Sequence, residues 1–241
     1  YDFEGYKITD MPHQVRIADF ICRNRRCYVF GETGTGKSLS AAWAYDYLFS
    51  IGDIKRLLII CPLSIVNETW GDTLSRHFPH LSYSVLYGAA AKRRKLVANN
   101  HKVHIINFDG VGTIKDELIA NQYDAILIDE STAVKNNSTT RWKNISAVVP
   151  DFASLVLMTG TPIPQGPMDA YGQAKLMANS PLPKTSARWR DEVLLQVAPY
   201  IWKPRREAME KVKAVLSPAI YVAKRDVLHD LPPVTYTYRR V

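Results

Sequence analysis

The stretch CYVFGETGTGKS, residues 27–38, decides the fold. Its first four residues are apolar, as in a buried strand, and GETGTGKS then matches the pattern G-x-x-x-x-G-K-[ST]. Glycines in such a loop let consecutive backbone N–H groups turn inward and hold phosphate oxygens, and the helix that follows directs its positive end at the same place. An apolar run before the loop and a helix-like run after it therefore predict a phosphate-binding site.

The residue types of this loop predict individual tasks. Lys37 is expected to reach the β- and γ-phosphates of ATP, and the Ser38 hydroxyl is expected to bind Mg²⁺. The other predicted nucleotide-binding positions are those of the loop itself: Gly31, Thr33, Gly34, Thr35 and Gly36. The alternative is a glycine-rich turn that matches the pattern by chance, and the flanking strand and helix disfavour it.

A second apolar run, AILI at residues 125–128, ends at two adjacent acids, Asp129 and Glu130. In proteins with this phosphate loop, another strand end supplies an acid to the metal ion. Asp129 is therefore predicted to bind Mg²⁺, and Glu130 to orient and deprotonate the attacking water. An acid pair at a strand end is often a solvated turn, but the phosphate loop disfavours that alternative. The predicted catalytic residues are Lys37, Asp129 and Glu130.

The segment MTGTP, residues 158–162, closes a further apolar run. Thr159 and Thr161 carry short hydroxyl groups that are candidates for sensing the γ-phosphate or for hydrogen bonds to Asp129 and Glu130. Taken alone, this segment is better explained as a plain Gly-Thr-Pro turn. Both interpretations stay open on the sequence.

Short apolar runs alternate with helix-like segments along the first two thirds of the chain. The runs are CYVF (27–30), LLIIC (57–61), YSVLY (83–87), VHIINF (103–108), AILI (125–128) and LVLM (155–158). Helices are predicted between them at 38–50, 65–77, 89–98 and 111–120. Runs rich in Val, Ile and Leu suit parallel strands that are buried on both faces. The pattern predicts an α/β fold with a mainly parallel, doubly wound sheet.

Beyond Gly160 the pattern changes to helical segments separated by prolines. Helices are predicted at 168–178, 186–198 and 206–216. The predicted organisation has three regions: a nucleotide-binding lobe at 1–164, a helical protrusion at 165–217, and a return segment and linker at 218–241. The stretch LPPVTYTYRRV, 231–241, is interpreted as an exit strand or linker.

Composition narrows the class of protein. The chain has 241 residues and a formal net charge of +8, and residues 184–241 hold twelve Lys and Arg against six Asp and Glu, a surplus of six. A basic surplus favours a polyanionic partner. No apolar stretch predicts a membrane span, and the polar start YDFEGYKITD does not match a signal peptide. Three cysteines do not make a disulfide framework, and Cys22 and Cys27 lack a second pair to complete a zinc site.

Taken together, the motifs resemble the first RecA-like lobe of superfamily-two helicases. Within that superfamily the chain is most similar to the Swi/Snf-type translocases of double-stranded DNA, especially their compact phage-encoded relatives. The segments that carry the resemblance occur in one order: MPHQ (11–14), GETGTGKS, LLIICPLSIVNETW (57–70), INFDG (106–110), LIDESTAVKN (127–136), LMTGTPIPQGPMDAYG (157–172) and AKRDVLHDLPP (223–233). The last of them is similar to the segment that joins the two lobes in that family.

The resemblance implies roles for further residues. Gln14 matches the glutamine that reads adenine, and Thr159 and Thr161 match the motif that couples the ATP state to DNA. A loop that contacts the backbone of one DNA strand is matched by Pro62, Leu63 and Ser64. The family also has a second RecA-like lobe, whose arginines complete ATP hydrolysis from across a cleft. This chain alone is therefore expected to be nearly inactive.

One departure from the family pattern follows the acid pair. Many relatives have Ala-His or Gly-His there, whereas this chain has Ser131 and Thr132. We expect the Thr132 hydroxyl to bridge the acid motif to Thr159 or Thr161. An equal alternative is that Ser131 and Thr132 cap the helix that follows, since both residue types are common at helix starts.

The resulting expectation is the ATP-binding lobe of a DNA-dependent ATPase that couples hydrolysis to movement on duplex DNA. Its cofactors are ATP and Mg²⁺, and its partners are DNA and a second RecA-like lobe of the same protein, with no membrane. The expected location is the cytoplasm, of a bacterial host if the chain is phage-encoded. One alternative is a nucleotide-dependent DNA-binding switch or loader that hydrolyses little. Another, a P-loop kinase of small molecules, is disfavoured because no second-substrate lid is apparent and the TGTP segment is present.

Overall fold

The computed structural model describes residues 11–177 and 180–227. The strands are β1 Arg26–Gly31, β2 Leu57–Cys61, β3 Tyr83–Val85, β4 Val103–Asn107, β5 Ala125–Asp129, β6 Ser154–Thr159, β7 Leu194–Ala198, β8 Ile201–Pro204 and β9 Ala219–Val222. The helices are α1 Pro12–Arg23, α2 Lys37–Ser50, α3 Asp72–His77, α4 Ala90–Val97, α5 Phe108–Thr113, α6 Lys115–Ala120, α7 Thr140–Val148, α8 Asp169–Ala174, α9 Ser186–Val193, α10 Ala208–Val215 and α11 Lys224–Val227.

Seven strands form one sheet in the order β3-β4-β2-β5-β6-β1-β9, and each pair of neighbours is parallel. Because the strands run the same way, their carboxyl ends lie along one edge, where β5, β6 and β1 are consecutive. Asp129 pairs with Met158, and Phe30 pairs with Thr159, so these three strand ends are level. The phosphate loop, the acid pair and the TGTP segment therefore leave the sheet side by side.

Helices cover both faces of the sheet, and each face has its own hydrophobic core. On one face α1 and α2 pack against the strands through residues such as Ile17 and Ala41. On the other face α5 and α7 pack through residues such as Val111 and Ile145. Every residue of β2 and β5 is buried, which explains why these strands are apolar throughout instead of at alternate positions. The predicted doubly wound α/β fold is confirmed.

Two predicted helices have a different internal structure. The segment predicted as one helix at 65–77 begins with a 3₁₀ turn, Leu63–Ile65, continues as a π-helix, Val66–Gly71, and ends as α3. The segment predicted at 111–120 starts earlier, at Phe108, and breaks at Ile114 into α5 and α6. Ile114 leaves the helical region, with φ −137° and ψ 36°, which separates the two helices.

The predicted helix at 186–198 is wrong in its second half. Helix α9 ends at Val193, and LLQVA then forms β7, which pairs antiparallel with β8. Trp189 and Val193, one turn apart on α9, are both buried, whereas Leu195 and Val197 are about half exposed. Without an apolar face to bury, these residues gain more from strand pairing across the turn at Pro199 than from another helical turn.

A further strand was not predicted. Residues Ala219–Val222 lie in the region interpreted as the return segment and linker, yet they form β9 and pair with β1 at the sheet edge. The residues AIYV are apolar throughout, but at the sheet edge only Val222 is buried and Tyr221 remains 60% exposed. The stretch LPPVTYTYRRV, predicted as an exit strand or linker, lies outside the described residues.

Residues 165–217 contribute both to the core and to a projection from it. Side chains of α8, α9 and α10 belong to the same hydrophobic core as the strands, including Tyr171, Trp189 and Val212. The hairpin β7–β8 instead exposes a set of large apolar side chains: Leu195, Val197, Tyr200 and Ile201. The division into a lobe and a protrusion stays a prediction. No helix among residues 11–177 and 180–227 is both long and apolar enough to cross a membrane.

Candidate active site

The phosphate loop connects β1 to α2 and adopts the backbone that its glycines permit. Gly34 has φ +89° and Gly36 has φ +76°, a left-handed region that residues with a side chain rarely occupy. Gly36 directly precedes α2, and a β-carbon there would collide with the side chain of Gln14. The backbone conformation requires glycine at both positions, and at Gly36 the limited space requires it as well.

Lys37, the first residue of α2, folds back over the loop. Its ammonium donates hydrogen bonds to the carbonyl oxygens of Gly31, at 2.5 Å, and Glu32, at 3.2 Å. Burial lowers the pKa of Lys37, and the nearby carboxylates of Asp129 and Glu130 oppose that shift. The acid pair at the end of β5 therefore faces the lysine of the phosphate loop.

Asp129 is buried and held by two hydrogen bonds. Its Oδ2 accepts from the indole nitrogen of Trp70 at 3.0 Å, and its Oδ1 accepts from the backbone N–H of Glu130 at 3.0 Å. Burial raises the pKa of Asp129 to about 6, the hydrogen bond from Trp70 opposes the rise, and the charge on Glu130 adds to it. The carboxylate is thus fixed in position, in surroundings that disfavour its charge.

Glu130 has a strained backbone and a defined side-chain contact. Its φ of 56° lies in the left-handed region, which costs about 1–3 kcal/mol for a residue with a side chain. Its Oε2 accepts a hydrogen bond from the Thr159 hydroxyl at 3.1 Å, and the Thr159 Oγ1 accepts from the Thr161 backbone N–H at 3.3 Å. The TGTP segment is therefore more than a plain turn, because it holds the second acid of the pair.

The phosphate loop and the acid pair face one open cleft with a volume of about 370 Å³. The cleft is lined by Thr33, Gly34, Gly36, Lys37, Ser38, Leu39, Ile65, Thr69, Thr73, Asp129 and Glu130. Ser38 and Asp129 both reach it, and hydroxyl and carboxylate oxygens are ligands that suit Mg²⁺. The residues present fit a nucleoside triphosphate bound together with this metal ion.

The expected bridge through Thr132 is not formed. Glu130 contacts Thr159 directly, so no intermediate is needed, and the Thr132 hydroxyl makes no hydrogen bond within residues 11–177 and 180–227. The alternative is wrong as well, because neither Ser131 nor Thr132 caps the 3₁₀ turn Ser131–Val134 with its side chain. Ser131 is instead fully buried and donates a hydrogen bond to Gln173 at 2.7 Å.

Gln173 on α8 connects the acid motif with the TGTP segment. Its Oε1 accepts from Ser131, and its Nε2 donates to the carbonyl of Pro162 at 2.7 Å and to that of Asp169 at 3.0 Å. Lys135 forms an ion pair with Asp169 at 3.2 Å. The sequence did not single out Gln173. Its only signal was a polar residue inside a predicted helix, which is a weak one.

Helix α1 supports the phosphate loop from outside. His13 contacts the carbonyl oxygen of Thr35 through Nε2 at 2.9 Å, and Gln14 is buried against Gly36. Gln14 thus lies at the loop, as its match to the family implies, and its role in reading adenine stays a prediction.

The predicted DNA-contacting loop lies at the same edge of the sheet but outside the cleft. Pro62 follows β2 directly, and Leu63 and Ser64, at the start of the 3₁₀ turn, are exposed. Their neighbour Ile65 lines the cleft. Pro62, Leu63 and Ser64 are not among the residues that line the cleft, and their role toward DNA stays a prediction.

Two further residues with contacts at the site, Trp70 and Glu32, were not assigned a task from the sequence. Trp70 was recognised only as the last residue of the segment LLIICPLSIVNETW (57–70), although its indole N–H donates a hydrogen bond to Asp129. Glu32 lies within the phosphate loop, at a position where the motif allows any residue. Its carboxylate accepts a hydrogen bond from the backbone N–H of Lys224, far along the chain, at 2.6 Å.

The chain is similar to known proteins over most of its length. The family model described as SNF2-related domain matches residues 13–241. Protein p41 of Acyrthosiphon pisum secondary endosymbiont phage 1 is 28% identical over 176 residues, which are 69% of this chain and 38% of that protein. A Xenopus laevis relative, the SWI/SNF-related matrix-associated actin-dependent regulator of chromatin subfamily A-like protein 1, is 30% identical over 164 residues, 68% of this chain and 16% of that protein.

Among solved structures, the Sulfolobus solfataricus SWI2/SNF2 ATPase core in complex with dsDNA aligns with a TM-score of 0.76. The sequence identity is 22%, and the alignment covers 92% of this chain and 47% of that one. At this identity the likeness shows the fold, and it confirms the predicted RecA-like lobe. The chain spans less than half the length of each of these three proteins.

Proposed function

The chain belongs to the SNF2-related family, and from that premise we propose that it binds ATP with Mg²⁺ and hydrolyses it to drive movement on duplex DNA. The observation that supports this most is the cleft in which Lys37, Ser38, Asp129 and Glu130 meet at the carboxyl ends of β1 and β5. Phosphoryl transfer to water requires a cation at the phosphates, a metal ligand and a base, and these residues supply all three.

The proposed mechanism assigns one task to each of these groups. Lys37 binds the phosphates as a point charge, in place of its present bonds to the carbonyls of Gly31 and Glu32. Ser38 and Asp129 would hold Mg²⁺, which would neutralise charge on the phosphates. Trp70 keeps the Asp129 carboxylate in one orientation through the hydrogen bond to Oδ2.

Glu130 acts on the attacking water. Its Oε2 accepts a hydrogen bond from the Thr159 hydroxyl. Oε1 is therefore left to orient the water and take its proton. Thr159 thereby links the state of the base to the TGTP segment, and we place the coupling between nucleotide and DNA there, together with Thr161. The further link through Ser131 and Gln173 extends this connection to α8.

The proposed partners are duplex DNA and a second RecA-like lobe of the same protein. The net charge of +8 and the exposed residues Leu63 and Ser64 after β2 support contact with a phosphate backbone. The solved relative is a SWI2/SNF2 ATPase core in complex with dsDNA, and the alignment covers 47% of it, which leaves room for a second lobe. We propose a cytoplasmic location, of a bacterial host if phage-encoded, which the similarity to a phage protein supports.

The test measures ATP binding and single-turnover hydrolysis by the full-length protein without nucleic acid, with duplex DNA and with single strands. Lys37→Ala is expected to lose tight ATP binding. Asp129→Ala is expected to weaken binding of Mg²⁺-bound ATP, whereas Glu130→Gln keeps binding and loses hydrolysis because an amide cannot accept the proton.

The outcomes separate the proposed function from its alternatives. Hydrolysis stimulated by duplex in the unaltered protein supports a translocase. Nucleotide-dependent DNA binding without stimulated hydrolysis favours a switch or loader. Equal loss of ATP binding in Asp129→Ala and Glu130→Gln would contradict the division of roles between the two acids.

A further inference from the structure

The phosphate loop is tied to the segment that follows β9. The backbone N–H of Glu32 donates to the carbonyl of Val222 at 3.2 Å, and the Glu32 carboxylate accepts from the backbone N–H of Lys224 at 2.6 Å. Val222 ends β9, and Lys224 begins α11. A residue of the loop thus makes two hydrogen bonds to the chain where it leaves the sheet, 190 and 192 positions later.

These bonds bring the side chain of Lys224 over the phosphate loop. A β-carbon built on Gly34 would lie 3.3 Å from Lys224 Cε and 3.6 Å from its Nζ. Gly34 lines the cleft, so the ammonium lies next to a residue of the cleft lining. No ion pair or hydrogen bond engages this ammonium within residues 11–177 and 180–227.

Two ammonium groups therefore face the same short loop. The charge on Lys224 contributes to lowering the pKa of Lys37, after the larger effect of burial. Mutual repulsion of this kind is unfavourable until an anion lies between the two cations. The phosphates of a nucleotide are such an anion, and they would bind where the loop already directs its backbone N–H groups.

We propose that Lys224 is a second phosphate-binding cation of this site and that Glu32 is the residue that positions it. The inference rests on the proposed ATP site. It adds a phosphate-binding side chain that comes from the segment after β9 and not from the phosphate loop itself. Nucleotide phosphates then hold residues 224–227 against the phosphate loop. Binding of ATP thereby restrains the segment that is similar to the connection between lobes.

Coupling of this kind is reciprocal. If phosphate binding stabilises Lys224 beside Gly34 by a certain factor, then a conformation in which Lys224 has left Gly34 binds phosphate more weakly by the same factor. Glu32 determines the position of Lys224 in the nucleotide-free protein, because its two hydrogen bonds keep the ammonium near the loop.

The first experiment measures equilibrium binding of adenosine, ADP and a non-hydrolysable ATP analogue to the full-length protein and its variants. Lys224→Ala is expected to bind both phosphorylated ligands about tenfold more weakly, since a hydrogen bond between charged groups is lost, and to bind adenosine equally well. Lys224→Arg is expected to recover most of the affinity because it keeps the charge. The matched control is Lys213→Ala, an exposed lysine on α10.

The second experiment measures hydrogen exchange of the backbone amides of residues 224–227. Addition of ADP is expected to slow their exchange in the unaltered protein and to slow it far less in Lys224→Ala. Glu32→Gln keeps the shape of the side chain but weakens the charge-assisted bond to the Lys224 amide, so faster exchange is expected before ADP is added.

The results separate failure of this inference from failure of the ATP site. If Lys37→Ala loses nucleotide binding while Lys224→Ala matches Lys213→Ala, the ATP site stands and the role of Lys224 is refuted. If Lys37→Ala also binds ADP normally, the ATP site itself is refuted. Unchanged exchange of residues 224–227 on addition of ADP would overturn the proposed coupling.

Discussion

At the scale of single residues, Asp129 has two opposing requirements. The proposed binding of Mg²⁺ needs its charged form, while burial favours the neutral form and raises its pKa to about 6. The indole N–H of Trp70 stabilises the charged form through a 3.0 Å hydrogen bond. The pair therefore sets the pH range in which the metal ion can be held.

The first prediction concerns this pH dependence. Mg²⁺-dependent ATP binding is expected to weaken as the pH falls through about 6, because Asp129 becomes protonated. Trp70→Phe removes the donor and keeps an aromatic ring, so the midpoint is expected to move to higher pH. Nucleotide affinity measured with and without Mg²⁺ across this range checks the prediction. A midpoint that is the same in both proteins would show that Trp70 has no electrostatic role.

The second prediction concerns stability at the same residue. The folded protein raises the pKa of Asp129 above its ordinary value of 3.8, so its contribution is fully favourable below about pH 3.8 and is lost as the pH rises through about 6. Asp129→Asn removes the ionisable group. Its free energy of unfolding, relative to the unaltered protein, is therefore expected to increase with pH over this window, by at most about 3 kcal/mol.

Denaturant titrations at several pH values measure that difference. The buried Asn loses one acceptor, since its amide nitrogen cannot accept a hydrogen bond from Trp70 or Glu130, so the absolute stability at low pH is expected to fall. A difference between the two proteins that does not change with pH would contradict the assignment of the raised pKa to Asp129.

The placement of the residues expected at a phosphate site could be predicted from the sequence, and their tasks stay predictions. Lys37 was identified by its spacing in the loop motif and Asp129 by its position at a strand end. The structure brings both residues to one cleft. Trp70 and Glu32 could not be predicted in this way, because their contacts join residues 59 and 192 positions apart. Only the fold determines which side chains meet across such distances.

At the scale of elements, α8 packs against the turn that follows the acid pair. Gly172 lies where this helix meets the backbone of Lys135, and its N–H donates to the Lys135 carbonyl at 3.0 Å. A β-carbon at Gly172 would overlap the carbonyl groups of Val134 and Lys135. The approach of the two segments is therefore possible only with glycine at this position.

The third prediction tests this contact. Gly172→Ala is expected to lower the free energy of unfolding by about 1–3 kcal/mol, because the added methyl group forces the two backbones apart. Gly71→Ala is the matched control, since its β-carbon would meet its nearest neighbour, the Val66 carbonyl, at an ordinary 3.6 Å. That variant is expected to be neutral or slightly more stable. Equal effects of the two substitutions in denaturant titrations would contradict the steric argument.

The elements that the sequence failed to predict lie away from the centre of the sheet. The central strands are apolar throughout because they are buried on both faces, which makes them easy to recognise. Strand β9, AIYV, is as apolar as a central strand, but it lies at the sheet edge within the region interpreted as return segment and linker. Hairpin β7–β8 lies outside the core and has no strong pattern. The stretch LLQVA is compatible with helix and strand alike, and the pairing with β8 decides between them.

At the scale of the whole molecule, the fourth prediction concerns DNA. A net charge of +8 with no recognisable base-reading motif predicts weak, sequence-independent binding through phosphates. The logarithm of the binding constant is expected to fall linearly with the logarithm of the salt concentration. Titrations of this chain with two duplexes of different sequence, each at several salt concentrations, check it. Affinity that ignores salt, or that strongly favours one duplex, would contradict binding through the backbone.

The position of β1 inside the sheet has a consequence for how the protein is made. Tyr28 of β1 pairs with Leu157 and Ala219, which are 129 and 191 positions further along the chain. A ribosome therefore releases the strand that carries the phosphate loop long before either of its neighbours exists. Parallel pairing over such separations forms slowly, and the apolar run CYVF stays unpaired on the nascent chain meanwhile. Newly made molecules should thus acquire nucleotide binding late in synthesis and should depend on chaperones until β9 has joined the sheet.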